Sequence, residues 1–336
     1  MKKILFITQK RDDAIGTTSL AIVNELKNHK HNFDFLEIGE KGNAKIFQLY
    51  NYVKNTVIIL IKSIGYSKVY IAWENPYVVF LKLFFPWKKI YMCVHHIEVY
   101  WDKFFIPNII LGSVFHFIAI SNFTKQQLLD HGVKESNISI NYNGINKLFY
   151  PEKIENFTDY TYILYVGTEV SRKNTDTLLE VFSLIHKKYP ELKLVKIGKS
   201  GDIEAEKKFN KKVKELEIEK SVIINRDFIS PNELRKWYSN ALCYISLSTL
   251  EGFGLTIPEA IACGCPIIAS NIKPFEEICQ ESEVLFDPYN KENIVKQIEK
   301  YIQNDEYRGN IIKKLQKNIT IFTWKYHAEN LIKIIK

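Results

Sequence analysis

The sequence predicts an α/β protein built from two doubly wound parallel sheets, each covered by helices. Short apolar, strand-like runs alternate with amphipathic helical patterns along all 336 residues, which is typical of βαβ units. This length also exceeds what one hydrophobic core usually supports, so two domains are expected. A polar linker at 150–159 separates them, and we place the domains at residues 1–152 and 158–319. Ligands of such sheets bind beyond the carboxyl ends of the strands, so a cleft between the domains is the expected site.

Six strands are predicted in each half of the chain. In the first half they span 4–8, 32–37, 68–72, 89–94, 115–120 and 138–140; in the second they span 162–166, 192–197, 222–225, 243–247, 266–269 and 284–286. Asn174 precedes an amphipathic stretch at 175–188, and Ser230 and Glu233 form a capping box around Pro231, a residue favoured at the first helical position. The charged start of the chain is followed by only four apolar residues, so it predicts a strand and not a signal peptide.

The five cysteines predict a protein of a reducing, cytosolic compartment. They are odd in number, lie mostly within apolar patterns and lack the spacing of a metal finger. Cys263 and Cys265 form a possible redox or metal pair, but no second pair or cluster of histidines accompanies them, so buried thiols are the prediction. The most apolar region, at 104–120, is interrupted by a proline, a glycine and a histidine, and it predicts no transmembrane helix.

The net charge of +8 suits nucleic acid, an anionic membrane surface or a phosphorylated substrate. The lysines are spread along the chain and no nucleic-acid recognition motif is present, so solvated faces are the simpler interpretation and nucleic acid is not expected. One segment, 80–91, differs because aromatic rings alternate with lysines. It suits the headgroup boundary of a membrane, although a core helix followed by a strand explains it as well.

A short stretch near the middle of the second half carries the strongest functional signal. Glu251 and Glu259 flank a turn that contains Gly252 and Gly254 and runs into a helix beginning at about Thr256. The glycines let the backbone present its N–H groups without an intervening side chain, and a helix start favours negative charge. The pattern predicts a site for a sugar diphosphate. Simple helix caps are the alternative, but a cap requires no second carboxylate eight residues away.

These residues resemble the retaining glycosyltransferases with two facing Rossmann-like domains, the GT-B fold, of the family 4 type. The stretch 251–259 is similar to that family's Glu-x7-Glu signature, and 260–271 continues as its members do. The segments 165–174, 119–124, 143–145 and 286–288 also fall in the family's usual places. The resemblance runs nearly from end to end. It implies that the last helix, at 320–336, packs back on the first domain.

The resemblance implies a set of donor-side residues in the second domain. Glu251 would face the hydroxyls of the donor sugar, and Glu259 would accept hydrogen bonds from the ribose. Arg172 and Lys173 would meet the diphosphate, whose leaving charge grows in the transition state. The turns that hold the donor would consist of Gly167, Gly252, Phe253, Gly254 and Leu255.

The resemblance implies an acceptor side in the first domain. Gly16 and Thr17 would line it, and His95 would lie near the reacting face of the sugar, with His96 as the alternative. Three departures from the family pattern are present: the loop 10–18 has a single glycine, Thr168 stands where many members carry arginine, and 225–228 lacks a common glycine. Arg172 is the expected substitute for the arginine, and the donor base is not specified by the sequence.

The resulting prediction is a metal-independent, retaining glycosyltransferase of the cytoplasm, with peripheral contact at the inner membrane face as a further expectation. It would move a hexose-type sugar from a nucleotide diphosphate sugar to an acceptor hydroxyl in the assembly of a lipid-linked oligosaccharide or polysaccharide. No cofactor is expected, and Asp12 and Asp13 lack the spacing of an Asp-x-Asp metal site. A nucleotide-sugar epimerase of the same fold and a non-catalytic sugar-nucleotide-binding module are the alternatives.

Overall fold

The computed structural model of the chain describes residues 4–10, 14–28, 33–39, 45–73, 79–95 and 115–336. Its contacts divide the chain into two units. Unit 1 comprises Met1–Gly144 and Phe322–Lys336, and unit 2 comprises Ile145–Ile321. Each unit contains a parallel sheet of six strands, so the predicted α/β class with two doubly wound sheets is confirmed.

Unit 1 is built on a sheet with the strand order β2-β1-β3-β4-β5-β6. The strands are β1 (Ile4–Lys10), β2 (Phe33–Gly39), β3 (Lys68–Ile71), β4 (Lys89–Val94), β5 (His116–Ala119) and β6 (Ile138–Ile140). The helices described in this unit are α1 (Ala14–Asn28), α2 (Lys45–Ser63), α3 (Val79–Phe84), α4 (Asn122–Asp130) and the C-terminal α12 (Trp324–Ile335). All six strands predicted for the first half are present.

Unit 2 has the strand order β12-β11-β10-β7-β8-β9. Its strands are β7 (Tyr162–Val166), β8 (Lys193–Ile197), β9 (Val222–Asn225), β10 (Cys243–Ser246), β11 (Ile267–Ser270) and β12 (Leu285–Phe286). Its helices are α5 (Thr175–His186), α6 (Ile203–Glu215), α7 (Pro231–Asn240), α8 (Thr256–Ala262), α9 (Lys273–Cys279), α10 (Lys291–Gln303) and α11 (Asp305–Asn318). The six strands predicted for the second half are confirmed as well.

Local capping explains where the helices of unit 2 begin. The hydroxyl of Ser230 accepts a hydrogen bond from the backbone N–H of Glu233 at 3.2 Å, so the predicted cap of α7 is present. Asn174 behaves differently. Its backbone is left-handed, with φ 51°, and its side chain caps no backbone N–H group. The side-chain oxygen of Asn174 accepts instead from the hydroxyl of Thr177.

The segment 148–152, between β6 and β7, packs against α7 of unit 2. Arg235 of α7 pairs with Glu152 at 2.6 Å and donates to the carbonyl of Leu148 at 3.2 Å. The guanidinium of Arg235 also lies 4.0 Å from the ring centre of Tyr150. These contacts explain why unit 2 begins at Ile145, earlier than the polar linker from which the domain limits 152 and 158 were predicted.

The C-terminal helix α12 belongs to unit 1. It packs against α1, and the Nδ1 atom of His327 lies 2.7 Å from the carbonyl oxygen of Tyr142. Asn141 donates to the carbonyl of His327 at 3.2 Å. Burial lowers the pKa of His327 to about 4, so this histidine is neutral and acts as a structural contact of α12.

The cysteines lie in the interior of the protein. All five cysteines are buried and free, as predicted. Within the described ranges, no helix combines the length and the apolar character needed to cross a membrane.

We expect Gly144→Ala to destabilise unit 1 by about 1–3 kcal/mol. A Cβ atom at this position would lie 2.2 Å from the backbone nitrogen of Trp324, so the start of α12 would have to move. Gly309→Ala in α11 is the matched control, because nothing lies within 4 Å of its Cβ position and alanine favours a helix by about 0.5–1 kcal/mol. Urea unfolding measures both changes, and an unaltered midpoint for Gly144→Ala would contradict the close approach.

Candidate active site

The candidate site lies where the chain reverses its direction of travel across the sheet of unit 2. From β7 the chain passes to β8 and β9 on one side, then returns to place β10 on the other side of β7. The loops that follow β7 and β10 therefore leave the same sheet edge in divergent directions, and such a switch point is the usual ligand site of an open parallel sheet. The loop after β7 carries Arg172 and Lys173, and the loop after β10 carries Glu251.

Glu251 joins the two loops through a double ion pair. Its Oε1 atom lies 2.5 Å from Nζ of Lys173, and its Oε2 atom lies 3.0 Å from Nη1 of Arg172. Arg172 also donates to the carbonyl of Leu250 at 3.2 Å, while its own carbonyl accepts from the N–H of Thr249 at 2.8 Å. We call Glu251, Arg172 and Lys173 the Glu251 cluster.

The electrostatics of the cluster keep Glu251 ionised. Only 5% of this residue is exposed, and such burial by itself raises the pKa of a carboxyl group. The charges of Lys173 and Arg172 outweigh that effect, so the pKa of Glu251 lies below its usual value. The cluster therefore contains one carboxylate and two cations, and it retains a formal charge of about +1.

The two cations keep donor capacity for a ligand. Lys173 has three N–H donors and Arg172 has five, and the contacts with Glu251 and Leu250 occupy only part of them. The side chain of Arg172 is 39% exposed. The sequence predicted these cations for the diphosphate, but it did not show that Glu251 would hold them, because the adjacency of β7 and β10 is decided by the sheet.

The glycine turn after β10 is sterically constrained. Gly254 has φ 88°, a left-handed conformation that favours glycine, and an added Cβ atom would lie 2.4 Å from Cε1 of Phe275. Gly252 and the side chain of Phe253 are buried. Leu255 immediately precedes α8. After β7, a Cβ atom on Gly167 would lie 2.9 Å from the hydroxyl of Tyr165, so both turns require glycine.

Two of the backbone N–H groups at the start of α8 are already bonded within the chain. The N–H of Ile257 donates to the carbonyl of Gly254, and the N–H of Glu259 donates to the carbonyl of Leu255, both at 3.1 Å. Pro258 has no N–H group. Since α8 has only seven residues, the positive charge described at this sheet edge is that of the Glu251 cluster.

Glu259 lies in the first turn of α8, as predicted, but it differs electrostatically from Glu251. Burial raises its pKa to about 8, and the hydroxyl of Tyr238, which donates to Oε2 at 3.4 Å, opposes this rise only in part. At neutral pH the carboxyl is therefore protonated, and it offers one donor and one acceptor. The two-acceptor geometry expected for ribose hydroxyls arises only at higher pH.

The residues predicted for the acceptor side lie in unit 1. Gly16 is buried in the first turn of α1, and Thr17 follows it in the same helix. His95 directly follows β4 and is 4% exposed, with its Nε2 atom 3.0 Å from the carbonyl oxygen of Ala72. His96, the alternative, lies outside the described residues, as do Asp12 and Asp13. Within the described part of the chain, no group of three or more His, Cys, Asp or Glu side chains is placed to hold a metal ion.

A second buried charge cluster was not predicted. Glu169, in the loop after β7, pairs with Lys196 of β8 at 2.9 Å and with Arg226, after β9, at 2.8 Å. The Oε2 atom of Glu169 is buried and accepts no hydrogen bond. These residues are far apart in the sequence and show no periodic pattern, so only the order of β7, β8 and β9 reveals them.

Comparisons with known proteins assign the part of the chain that contains the candidate site to a known family. A model of the family described as glycosyl transferases group 1 matches residues 146–318. An uncharacterized glycosyltransferase of Haemophilus influenzae is 28% identical over 91% of this chain and 92% of its own length. The O-antigen chain mannosyltransferase B of Escherichia coli is 28% identical over 44% of this chain and 38% of its own length.

Solved structures of low sequence identity share the fold over the whole chain. The Anabaena protein Alr3699/HepE, solved in complex with UDP and glucose, has a TM-score of 0.80 at 15% identity, with 99% of each chain covered. The sucrose-phosphate synthase of Thermosynechococcus elongatus has a TM-score of 0.80 at 16% identity, covering 99% of this chain and 98% of its own. The fold is therefore that of the GT-B glycosyltransferases, as the sequence predicted.

We expect Glu259→Gln to flatten the dependence of stability on pH between about 5 and 9. The unfolded chain releases the proton of Glu259 near the ordinary pKa of 4.5, whereas the folded chain keeps it until a pH of about 8. The folded state therefore binds more protons in this window, and the unfolding free energy falls as pH rises. Glutamine has no proton to release. From pH 5 to 9 the unfolding free energy of the variant should therefore rise relative to that of the native protein by on the order of 2 kcal/mol, which is less than the full pKa shift would give because Glu259 is partly exposed.

Urea unfolding at a series of pH values measures this difference. Glu283→Gln is the control, because Lys314 lowers the pKa of the exposed Glu283 below 4.5, so that its titration ends before the window begins. Equal slopes of unfolding free energy against pH for Glu259→Gln and the native protein would contradict the raised pKa.

Proposed function

The chain belongs to the glycosyl transferases group 1 family, and from this membership and the geometry of the Glu251 cluster we propose that it transfers a hexose from a nucleotide diphosphate sugar to an acceptor hydroxyl, with retention of anomeric configuration. The observation that carries the proposal is the ionised, buried Glu251 held between Lys173 and Arg172. It lies at the carboxyl edge of a parallel sheet, at the switch point between β7 and β10.

The two cations of the cluster would stabilise the departing diphosphate. As the bond between the anomeric carbon and the phosphate oxygen breaks, negative charge accumulates on the leaving group, and fixed N–H donors at a site shielded from water stabilise that charge strongly. Arg172 offers a planar fork for phosphate oxygens, and Lys173 offers a compact point charge. Because Glu251 already holds both side chains in place, little reorganisation is required when the donor binds.

The remaining steps can proceed without an enzymic nucleophile. The acceptor hydroxyl would attack the anomeric carbon from the face that the diphosphate leaves, and its proton would pass to a phosphate oxygen. Glu251 would accept hydrogen bonds from the sugar hydroxyls while its charge fixes the cations. His95 and Gly16 are proposed for the acceptor side, and no divalent ion is proposed, since Arg172 and Lys173 supply the positive charge that a metal would otherwise provide.

The donor is proposed to be a nucleotide hexose, with mannose as the first candidate sugar. The relatives include the O-antigen chain mannosyltransferase B of Escherichia coli and the mannosyltransferase RfbU of Salmonella typhimurium. Their names favour the assembly of a polysaccharide or lipid-linked glycan. The proposal therefore places the enzyme on the cytoplasmic side, at the inner membrane face.

We expect a nucleotide diphosphate sugar to raise the unfolding temperature of unit 2. A ligand present at 100 times its dissociation constant stabilises the folded state by about 2.7 kcal/mol. A thermal-shift panel of UDP- and GDP-linked hexoses measures this effect, and the preferred member identifies base and sugar. Lys173→Met should reduce the shift, whereas Lys188→Met, which removes an exposed lysine paired with Glu299, should leave it unchanged. No shift at millimolar concentration for any member would refute the donor site.

We expect Glu251→Gln to lower kcat by a factor on the order of 10² or more. The substitution removes the negative charge that holds Lys173 and Arg172, so both cations are released toward the diphosphate, and the affinity for free nucleoside diphosphate should stay equal or rise. Glu283→Gln, which breaks an exposed pair with Lys314, is the matched control. Rates are measured as sugar transfer to a glycan acceptor with a chelator present, and NMR of the product gives the anomeric configuration.

The same assays separate the alternatives. An epimerase would convert the donor in the absence of acceptor, and NMR would show the epimer. A non-catalytic binding module would show the thermal shift but no turnover in the native protein. Native turnover combined with an unaltered kcat in Glu251→Gln would remove Glu251 from the mechanism.

A further inference from the structure

Unit 1 presents large apolar side chains to solvent around the end of α2 and the turn after α3. Ile61, Ile64, Leu83, Phe84 and Trp87 are each between 60% and 71% exposed. We call these five residues the apolar patch. Isolated apolar side chains are normal on a protein surface, whereas a group of large ones marks an interaction site.

A buried lysine joins the turn after α3 to the end of α2. The Nζ atom of Lys88, a residue only 1% exposed, donates to the carbonyl of Ser63 at 2.6 Å and also to the carbonyls of Ile64 and Tyr66. These carbonyls lie at the end of α2, where a cation is favourable. Trp87 directly precedes Lys88, and the N–H of Lys89 donates to the carbonyl of Ser67 at 3.0 Å, so the backbone of the turn at Trp87 runs close to the segment that follows α2.

The turn that carries the aromatic residues is well defined by its own contacts. The N–H of Phe85 donates to the carbonyl of Leu81 at 2.8 Å, and the N–H of Lys88 donates to the carbonyl of Phe85 at 3.1 Å. The rings of Phe85 and Trp87 meet edge to face with their centres 5.8 Å apart. Phe84 and Trp87 are therefore held outward by a folded turn, and the core explanation of the segment 80–91 does not account for them.

The two segments that carry the patch contain lysines but no acidic residue. Lys54, Lys62 and Lys89 are exposed and Lys82 is half-buried, while the segments 45–73 and 79–95 contain no aspartate or glutamate. Lysine stems extend over apolar surface while their ammonium groups reach the phosphates of a bilayer, and tryptophan and phenylalanine are favoured at the headgroup level.

We propose that the apolar patch and its surrounding lysines bind the surface of an anionic lipid bilayer. The rings of Phe84 and Trp87 and the side chains of Ile61, Ile64 and Leu83 enter the headgroup boundary, and the lysines contact lipid phosphates. The inference deepens the proposed function, since it rests on the membrane location proposed there. It names the surface of the enzyme that would meet the lipid.

Vesicle binding tests the proposal with the full chain and without donor or acceptor, so its failure would not refute sugar transfer. The native protein should sediment with phosphatidylglycerol vesicles, more weakly with phosphatidylcholine vesicles, and less as salt is raised. Phe84→Ser combined with Trp87→Ser should reduce binding about tenfold or more, because two large apolar side chains are lost from the boundary. Leu184→Ser combined with Ile203→Ser, which changes two exposed apolar residues of unit 2, should bind as the native protein does.

A conservative variant reports the position of the ring itself. Trp87→Phe should still bind, but the quenching of tryptophan fluorescence by brominated lipid should fall, because Trp87 is the tryptophan proposed to reach the boundary. Unfolding midpoints and light scattering accompany each variant. Equal vesicle binding by the folded Phe84→Ser, Trp87→Ser variant would overturn the proposal. So would a native oligomer that this variant dissociates, since the patch would then be an interface between copies of the chain.

Discussion

The double ion pair of Glu251 with Lys173 and Arg172 is the interaction on which the proposed chemistry of this protein depends. It joins loops that follow two neighbouring strands, and it can form only because β10 returns to the side of β7 opposite β8. A buried carboxylate without partners would be costly. With two cations it remains ionised and, at the same time, places a net positive charge at the edge where a diphosphate is proposed to bind.

The two glutamates of the signature have opposite electrostatic properties although they are only eight residues apart. Glu251 pairs with two cations and its pKa is lowered, whereas Glu259 accepts a hydrogen bond from the hydroxyl of Tyr238 and burial raises its pKa to about 8. The difference separates a charged residue that positions cations from a neutral residue suited to hydrogen bonding. The turn between them cannot change easily, since Gly254 packs against Phe275.

Unit 1 adds a surface whose chemistry complements the proposed site in unit 2. Lys88 donates to carbonyls at the end of α2, and Phe84 and Trp87, which flank this part of the chain, are exposed. An enzyme that modifies a lipid-linked acceptor needs both a donor site and a means of staying near the bilayer. In this chain the two requirements are proposed to be met by different units, so each can be altered and measured independently.

The sequence by itself determined where the strands lie. All twelve strands followed from their apolar runs, since strands of a parallel sheet are covered on both faces, and the family motif identified Glu251 and Glu259. Ser230 capped α7 as predicted because a cap is a local interaction, whereas the bonds from the N–H groups of Ile257 and Glu259 to Gly254 and Leu255 were not predicted. Only the tertiary structure decided that Glu251 pairs with Arg172 and Lys173, that Glu169 meets Lys196 and Arg226, and that Lys88 joins α2 to the turn at Trp87. The physical reason is that such contacts depend on the order of the strands and on burial, which bring together side chains whose separation along the chain carries no local signal.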